Sequence, residues 1–409
     1  MKNLHCRSCD KPLNHKFADL GFSPLSNEYL NEESILHGQT FYPLVVNVCD
    51  NCFLVQTEVI EKPENIFSDY KYFSSFSSSW LKHCKEYVDY IVEYLKLNAD
   101  STVTEIACND GYLLQYFKPY NIKTYGIEPS SNVAENAKQK GIDVVVDFFS
   151  DKLVSKLEES YGKSDLIIGN NVFAHVPEIN SFVKGIKMLL KDKGVVNLEF
   201  PHLLQLINLY QFDTIYHEHF SYLSISFVKY IFEKHGLKLF RIDKLPTHGG
   251  SVRIYATHSD NPVEISSSVN DILSEEIQNG LNDISTYEKF DSTVRNIKYN
   301  SLEYLIKIKK SGKRIAAYGA AAKGNTFLNY CGIGREFIDF VVDSNIHKQG
   351  LYLPGSQIPI VHIDELSLKK PDYVIILPWN LREEIAKQAN FIRDWGGKFI
   401  TFIPSIEEF

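Results

Sequence analysis

The stretch TVTEIACNDGYLLQYFKPYNIKTYGIEPS, Thr102–Ser130, decides the fold. "TVTEIAC" reads as a buried strand, "NDGYLLQYFKPY" as a turn and helix, and "KTYGIEP" as a second strand. A glycine-containing turn between strand and helix lets backbone amides approach a ligand closely. Glu105 closes the first strand, Asn109, Asp110 and Gly111 form the turn, and Glu128 closes the second strand.

Working outward, the alternation continues. "SSNVAENAKQKG" is a helix, "IDVVVDFF" a third strand ending near Asp147, and "SDLIIGNNVF" a fourth with Asn170 and Asn171 at its end. "INSFVKGIKMLLKDKG" is the next helix, "GVVNLEFP" a fifth strand, and "HGGSVRIYATH" a later strand closing the unit. Strands alternating with helices predict a parallel sheet covered on both faces, with ligands beyond the carboxyl ends of the strands. A helix-rich segment leads to a second unit of the same kind from Lys313: "KRIAAYGAAAKGNTFLNY", "IDFVVDSN", "PDYVIILPWN" and "GGKFITFIP".

Two CxxC pairs, Cys6/Cys9 and Cys49/Cys52, lie near the N-terminus with a β-rich insert between them. Two such knuckles complete a tetrahedral sulfur shell suited to Zn²⁺, and four protein ligands leave no open position, so the metal is structural. Free or redox thiols are the alternative. The expected fold class is α/β, a small zinc-binding N-terminal domain plus two doubly wound Rossmann-like domains. The expected divisions are 1–66, 67–290 and 291–409. Between the first two, "DYKYFSSFSSSW" (Asp69–Trp80) reads as a linker or ligand-facing loop. The amphipathic helix after it carries His83 and Cys84 as structural residues.

At 409 residues the chain exceeds one ordinary core, and its net charge of −8 argues against a nucleic-acid partner. No apolar run spans a bilayer and no signal peptide is visible, so the expected compartment is the cytoplasm with no membrane partner. Glu128 suits the two hydroxyls of a ribose, and Asp147 an adenine amino group. The first turn lacks the full GxGxxG of a dinucleotide site and carries acidic residues where phosphates would lie. An adenosine ligand without pyrophosphate follows, and the cationic S-adenosylmethionine fits. Each carboxylate taken singly also reads as a helix cap. The later turn "YGAAAKGN" places Gly319, Lys323, Gly324 and Asn325 at a helix start, as a diphosphate cradle or a structural turn, with Asp343 of "VVDSN" as a further contact.

"YHEHFSYLS" (Tyr216–Ser224) crowds proton-moving groups together. A metal site, a proton-transfer site and packing are all readings of it, although HEH lacks the one-turn spacing of HExxH. His217 reads as exposed. His248, Gly249 and Arg253 of "HGGSVR" read as substrate contacts, Arg253 alternatively as a paired charge.

In this order CxxC–CxxC, "YKYFSSFSSSW", "EIACNDGYLL", "NNVFAHV", "YHEHFSYLS", "HGGSVRIY" and "YGAAAKGNT" resemble the sugar C-methyltransferases, over essentially the whole chain. The resemblance implies a nucleotide-linked 4-ketosugar bound between the middle and C-terminal domains and methylated at C3. It implies catalytic roles for Tyr216, Glu218 and His219, for His175 of "NNVFAHV", and for an upstream tyrosine matched to Tyr72, with Tyr70 nearby. Histidine, with a free pKa of about 6.5, suits the base that removes the C3 proton, and the role is assigned to His219. Cys108 departs from the small residue usual in that motif. An O-methyltransferase, a zinc-ribbon RNA or protein methyltransferase, and a non-catalytic nucleotide-sugar-binding module are the rival functions.

Overall fold

Apolar and polar residues alternate along "HKFADLGFS" and "YPLVVNV", giving strands β1 (His15–Ser23) and β2 (Tyr42–Val48) with Leu44, Val46 and Val48 all turned inward. These details come from a computed structural model that describes residues 4–67 and 73–409. A short β3 (Val55–Thr57) pairs with β2. The fourth strand of this sheet comes from far along the chain and is described below.

The middle unit contributes β4 (Thr102–Ile106), β5 (Lys123–Ile127), β6 (Asp143–Val145), β7 (Ser164–Asn170) and β8 (Leu190–Pro201). Next is β9 (Ser221–Tyr222), then β10 (Leu237–Leu245) and β11 (Ser251–His258). The seven-stranded sheet has the order β10-β11-β8-β7-β4-β5-β6. β4 to β8 are parallel, while β11 runs antiparallel to β8 and β10 antiparallel to β11. The strand order reverses between β4 and β7, which opens a crevice at their carboxyl ends.

The C-terminal unit has β12 (Ile315–Tyr318), β13 (Val341–Val342), β14 (Ile360–Val361), β15 (Tyr373–Ile376), β16 (Lys398–Thr401) and β17 (Glu407–Glu408). Their order, β14-β13-β12-β15-β16-β17, is that of a doubly wound sheet with its own reversal between β12 and β15.

Strand β9 lies within "YHEHFSYLS" and leaves the middle unit to pair with β3, Gln56 opposite Ser221. The N-terminal sheet is therefore β1-β2-β3-β9. Phe17 of β1 stacks on Phe290 at 4.5 Å, within a core shared with the C-terminal sheet. Cys6, Cys49, Cys52 and Leu54 belong to the core of the middle unit. The zinc-type unit is thus a wedge fixed to both larger units.

Four expectations shift. The helix read in "NDGYLLQYFKPY" is a run of 3-10 turns, Leu114–Tyr120, because Pro119 removes a backbone donor and Asn121 ends the run at φ 55. The helix Ile179–Leu189 stops before "KDKG", which belongs to β8. β10 was not expected, and the sheet is mixed because β11 runs antiparallel between β8 and β10. A single helix, Ile284–Lys310, runs across the 290/291 division.

Candidate active site

A cleft of about 930 Å³ opens at the carboxyl ends of β4, β5 and β7 and is walled by residues of all three units. At one end stands the turn after β4. Ala107, Asn109 and Gly111 have φ of 58°, 48° and 75°, so every second residue adopts the conformation that glycine takes most easily. The chain curls tightly enough to bring the Asn109 N–H to Glu128 Oε2 at 3.0 Å, while the Ser130 N–H reaches Oε1 at 2.9 Å. These two backbone donors fix the orientation of the carboxylate. Burial nevertheless pushes Glu128 up. Asn109, Glu128, Asp147, Asn170 and Asn171 all line this end. Cys108 fits because residue 126 is glycine: a Cβ there would lie 2.2 Å from the Cys108 sulfur.

Trp80 and His83, from the helix Ser78–Leu95, close over the same end. The Trp80 ring stacks on His83 at 5.1 Å and lies 5.6 Å from His248. Asn171 Nδ2 donates to His248 Nε2 at 3.1 Å. Burial brings His248 down to about 4.

In the middle of the cleft are His175, Tyr216, Glu218 and His219. The two imidazoles meet edge to face at 4.7 Å, and Tyr216 lies 4.0 Å from His219, centroid to centroid. His219 Nδ1–H donates to the Thr214 carbonyl at 2.8 Å. That bond fixes the tautomer and leaves Nε2 with the lone pair. Burial, then the neighbouring His175, hold His219 well below the usual imidazole range. Burial takes His175 to about 4. Glu218 is pushed up to about 7 by burial, against the pull of Asn27, whose Nδ2 donates to its Oε1 at 2.7 Å. Tyr72 and Tyr70 lie outside the described residues.

At the far end, Lys323 in the first turn of the helix Ala322–Cys331 reaches Asn380 Oδ1 at 3.0 Å and sits over the Trp379 ring. That helix start has no side-chain cap for its first N–H groups, and Ala321 and Ala322 line the cleft there. Lys348 also lines this end. Burial lowers Lys323, with Asp213 acting against it. Asp213 itself is pushed by burial up to about 6, and its Oδ2 accepts from the Trp379 indole at 2.8 Å.

The other expected residues stand behind these walls. Glu105 is fully buried beneath the turn, and burial pushes its carboxyl well above the usual carboxylate range. Asp110 faces Lys140 at 3.1 Å, and Gly111 packs against Ile142 and Ala137. Arg253 points inward to Glu199, which also takes His83 Nε2 at 2.9 Å and Thr247 Oγ1 at 2.9 Å. Burial raises Glu199, but His83 and Arg253 together bring it down to about 2. Gly249 packs on Trp379, Gly319 (φ 92) on Pro378, and Gly324 on Leu377. Asn325 Nδ2 ties the Ser26 carbonyl at 2.7 Å, and Asp343 Oδ2 takes the Ala320 N–H at 2.7 Å. These nine shape the cleft from outside it. His217 is buried, not exposed: its Nε2 donates to the Pro43 carbonyl at 3.2 Å because the N-terminal sheet folds over it.

Sequence reasoning missed four participants. Trp80 lay in the serine- and aromatic-rich segment marked as ligand-facing. His83 was read as structural. Asn27 and the Thr214 carbonyl carry no local signal, since each acquires its role through folding.

Cys6, Cys9, Cys49 and Cys52 place all four sulfurs within 4.8 Å of one another. The Cys6–Cys52 and Cys9–Cys49 separations are 3.6 and 3.5 Å. A tetrahedron with Zn–S of about 2.3 Å has edges of about 3.8 Å, so the cage fits zinc. Hydrogen bonds from Cys49 and Cys52 hold the Cys6 thiol far below its usual value.

Family models match in the same order along the chain: "Putative zinc binding domain" at residues 6–67, "Methyltransferase domain" at 80–242, and "C-methyltransferase C-terminal domain" at 246–404. The C-methyltransferase NovU of Streptomyces niveus is 32% identical over 399 residues, covering 98% of this chain and 95% of that protein. Among solved structures, magnesium protoporphyrin IX methyltransferase of Synechocystis PCC 6803 is 17% identical over 48% of this chain and 89% of its own, at a TM-score of 0.34. The PH0226 protein of Pyrococcus horikoshii OT3 is 14% identical over 49% of this chain and 99% of its own, at a TM-score of 0.37. With a sulfur cage for zinc, a sheet and turn for S-adenosylmethionine, and this match from end to end, the chain belongs to the S-adenosylmethionine-dependent C-methyltransferase family.

Proposed function

We propose that the enzyme methylates C3 of a nucleotide-linked 4-keto-deoxysugar in the cytoplasm. In this reading residues 1–66 hold zinc, 67–290 hold the methyl donor, and 291–409 complete the nucleotide-sugar site. The observation that carries the reading is His219: a buried imidazole with Nδ1–H tied to Thr214 and the Nε2 lone pair available, in the middle of a cleft with Glu128 at one end and Lys323 at the other.

A sugar C–H becomes acidic only beside a carbonyl. The 4-keto group lets the electrons of the C3–H bond spread onto oxygen as an enolate once a base takes the proton. Bound S-adenosylmethionine supplies an electrophilic methyl on a cationic sulfur. His219 Nε2 accepts the C3 proton, and its low affinity for protons keeps it unprotonated at neutral pH. Tyr216 and His175 stand where hydrogen bonds to the developing oxyanion would be made. Glu218 receives a sugar hydroxyl or amine. Glu128, fixed by its two backbone donors, receives the ribose hydroxyls, with Asp147 toward the adenine. The uncapped helix start and Lys323 receive the diphosphate. The methyl acceptor is held in line with the departing sulfur by contacts at both ends.

The test is incubation with S-adenosylmethionine and a panel of 4-keto nucleotide sugars, with mass analysis for one added methyl. In D₂O without S-adenosylmethionine, C3 of the substrate should exchange its hydrogen. An O-methyltransferase would add the methyl without such exchange. His219→Ala should abolish exchange while binding of S-adenosylmethionine persists, and exchange retained in that variant overturns the assignment of the base.

A further inference from the structure

We propose that Arg7, between the cysteines of the first pair, is a positioning residue for His219, linking the sulfur cage to the backbone that carries the imidazole. The inference deepens the reading of His219 as base and rests on it, but its test reads the linkage separately from the chemistry.

The path can be followed atom by atom. Gln56 Nε2 donates to Cys6 Sγ at 3.3 Å. Gln56 Oε1 accepts from Arg7 twice, from the backbone N–H at 3.0 Å and from Nε at 3.3 Å. The Arg7 guanidinium then donates to the Phe220 carbonyl, and to Ser221 Oγ at 3.1 Å. Phe220 is the residue after His219. Its carbonyl also takes the Thr57 N–H at 3.2 Å, and Thr57 Oγ1 donates to the His219 carbonyl at 3.1 Å.

His219 is thus held from two sides. The middle unit fixes its ring through Thr214, and the N-terminal unit fixes its main chain through Arg7 and Thr57. The knuckle is itself moored, since Asn180 Nδ2 donates to the Arg7 and Ser8 carbonyls at 2.9 and 3.1 Å. Only the arginine fork can serve Gln56 through Nε and Phe220 through a terminal nitrogen at once; a lysine ammonium has no such second arm. Misplacing a reacting group by about 1 Å costs on the order of 100-fold in rate, so a link of this kind bears on catalysis without touching the reacting atoms. A merely structural Arg7 would affect zinc retention or melting and leave the His219 segment as it was.

The experiment uses the zinc-loaded full chain carrying Arg7→Ala, Arg7→Lys or Thr57→Val. Amide hydrogen exchange is followed for residues 216–224 and, as a reference, 105–130. The tautomer of His219 is read from ¹⁵N-histidine spectra, assigned by its loss in His219→Gln. Zinc content and S-adenosylmethionine affinity are measured alongside. With zinc content and affinity held within twofold, Arg7→Ala should speed exchange at 219–222 by about 10-fold, the equivalent of one buried charge-assisted bond. It should also broaden or average the His219 tautomer signal. Arg7→Lys should recover part of the protection. Thr57→Val, which removes one hydroxyl donor and little volume, should show the same change at about fivefold and keeps the question open to test if Arg7→Ala does not fold. Chelation of zinc from the unsubstituted protein should loosen 219–222 in the same way. Exchange and tautomer unchanged on Arg7 or Thr57 substitution, or on chelation, overturn the proposal. If exchange rises but no C3 chemistry is found on any substrate, the linkage stands and the reading of His219 as base fails.

Discussion

Asn27→Leu tests the electrostatics of the cleft most directly. Glu218 is buried, and its carboxyl is pushed up to about 7 by that burial, with the Asn27 amide at 2.7 Å as the counteracting donor. Leucine keeps the volume and removes the donor. A hydrogen bond to a charged group contributes about 1.5–3 kcal/mol. It favours the ionised form, so its loss raises the pH at which Glu218 ionises. At 1.36 kcal/mol per pH unit the rise is about one to two units.

The sign for stability follows. A carboxyl whose folded value is raised stabilises the fold fully below the unfolded value of about 4.3, and that contribution is lost as pH rises through about 7. In the variant the loss extends to higher pH. At pH 5.5 the carboxyl is protonated in both proteins, and the substitution should cost about 1 kcal/mol, one neutral bond. By pH 9.5 the cost should grow by a further 1.4–2.7 kcal/mol or so. Urea melts of the unsubstituted protein, Asn27→Leu and Glu218→Gln at the two pH values measure it, and Glu218→Gln should show no such growth. A cost for Asn27→Leu that is the same at both pH values would refute the argument, because the amide would then not be facing an ionising group.

Gly126→Ala would set a Cβ 2.2 Å from the Cys108 sulfur and should cost about 1–3 kcal/mol in denaturant melts, with Cys108→Gly in the same chain recovering part of it. Glu199, held at about 2 against an unfolded value of about 4.3, contributes about 3 kcal/mol above pH ~4.3 that is lost as pH falls toward 2. Glu199→Gln should therefore destabilise at pH 7 and flatten the acid side of the stability profile. Lys323→Ala should raise KM for the nucleotide-linked substrate by about 10–100-fold and leave the Kd for S-adenosylmethionine unchanged; equal weakening of both would place the lysine elsewhere than at the diphosphate.

What the sequence disclosed and what it hid divide along physical lines. Strand and helix periodicity is local and disclosed the two doubly wound units, as the two CxxC spacings disclosed the cysteine cage. The turn after β4 stood out through its carboxylates but not through its glycines. Ala107 and Asn109 hold the left-handed conformation that glycine would advertise, and alanine gives no sign of it. His217 read as exposed because the strand that covers it is drawn from Tyr42–Val48, far away in the chain. His83 read as structural because its carboxylate partner Glu199 reaches it only when the helix docks on the sheet. The 3-10 run at Leu114–Tyr120 looked helical by its leucines and aromatics, and Pro119 decided against it.

The arrangement of charge along the cleft explains why three units are needed for one site. The end built by β4, β5 and β6 presents Glu128 and Asp147, and the end built by the C-terminal unit presents Lys323 and Lys348. Between them His175, His219 and His248 are all driven toward the neutral form by burial. Under the proposed function, a cationic donor and an anionic acceptor entering such a field are drawn to opposite ends, and their reacting groups meet in the neutral middle. A charged imidazole there would repel the sulfonium and would have no lone pair for the proton. Burial deep enough to keep three histidines neutral requires walls on every side. Neither doubly wound unit alone lines the cleft, and the N-terminal unit adds Asn27, Val59, Pro63 and Glu64 to its walls.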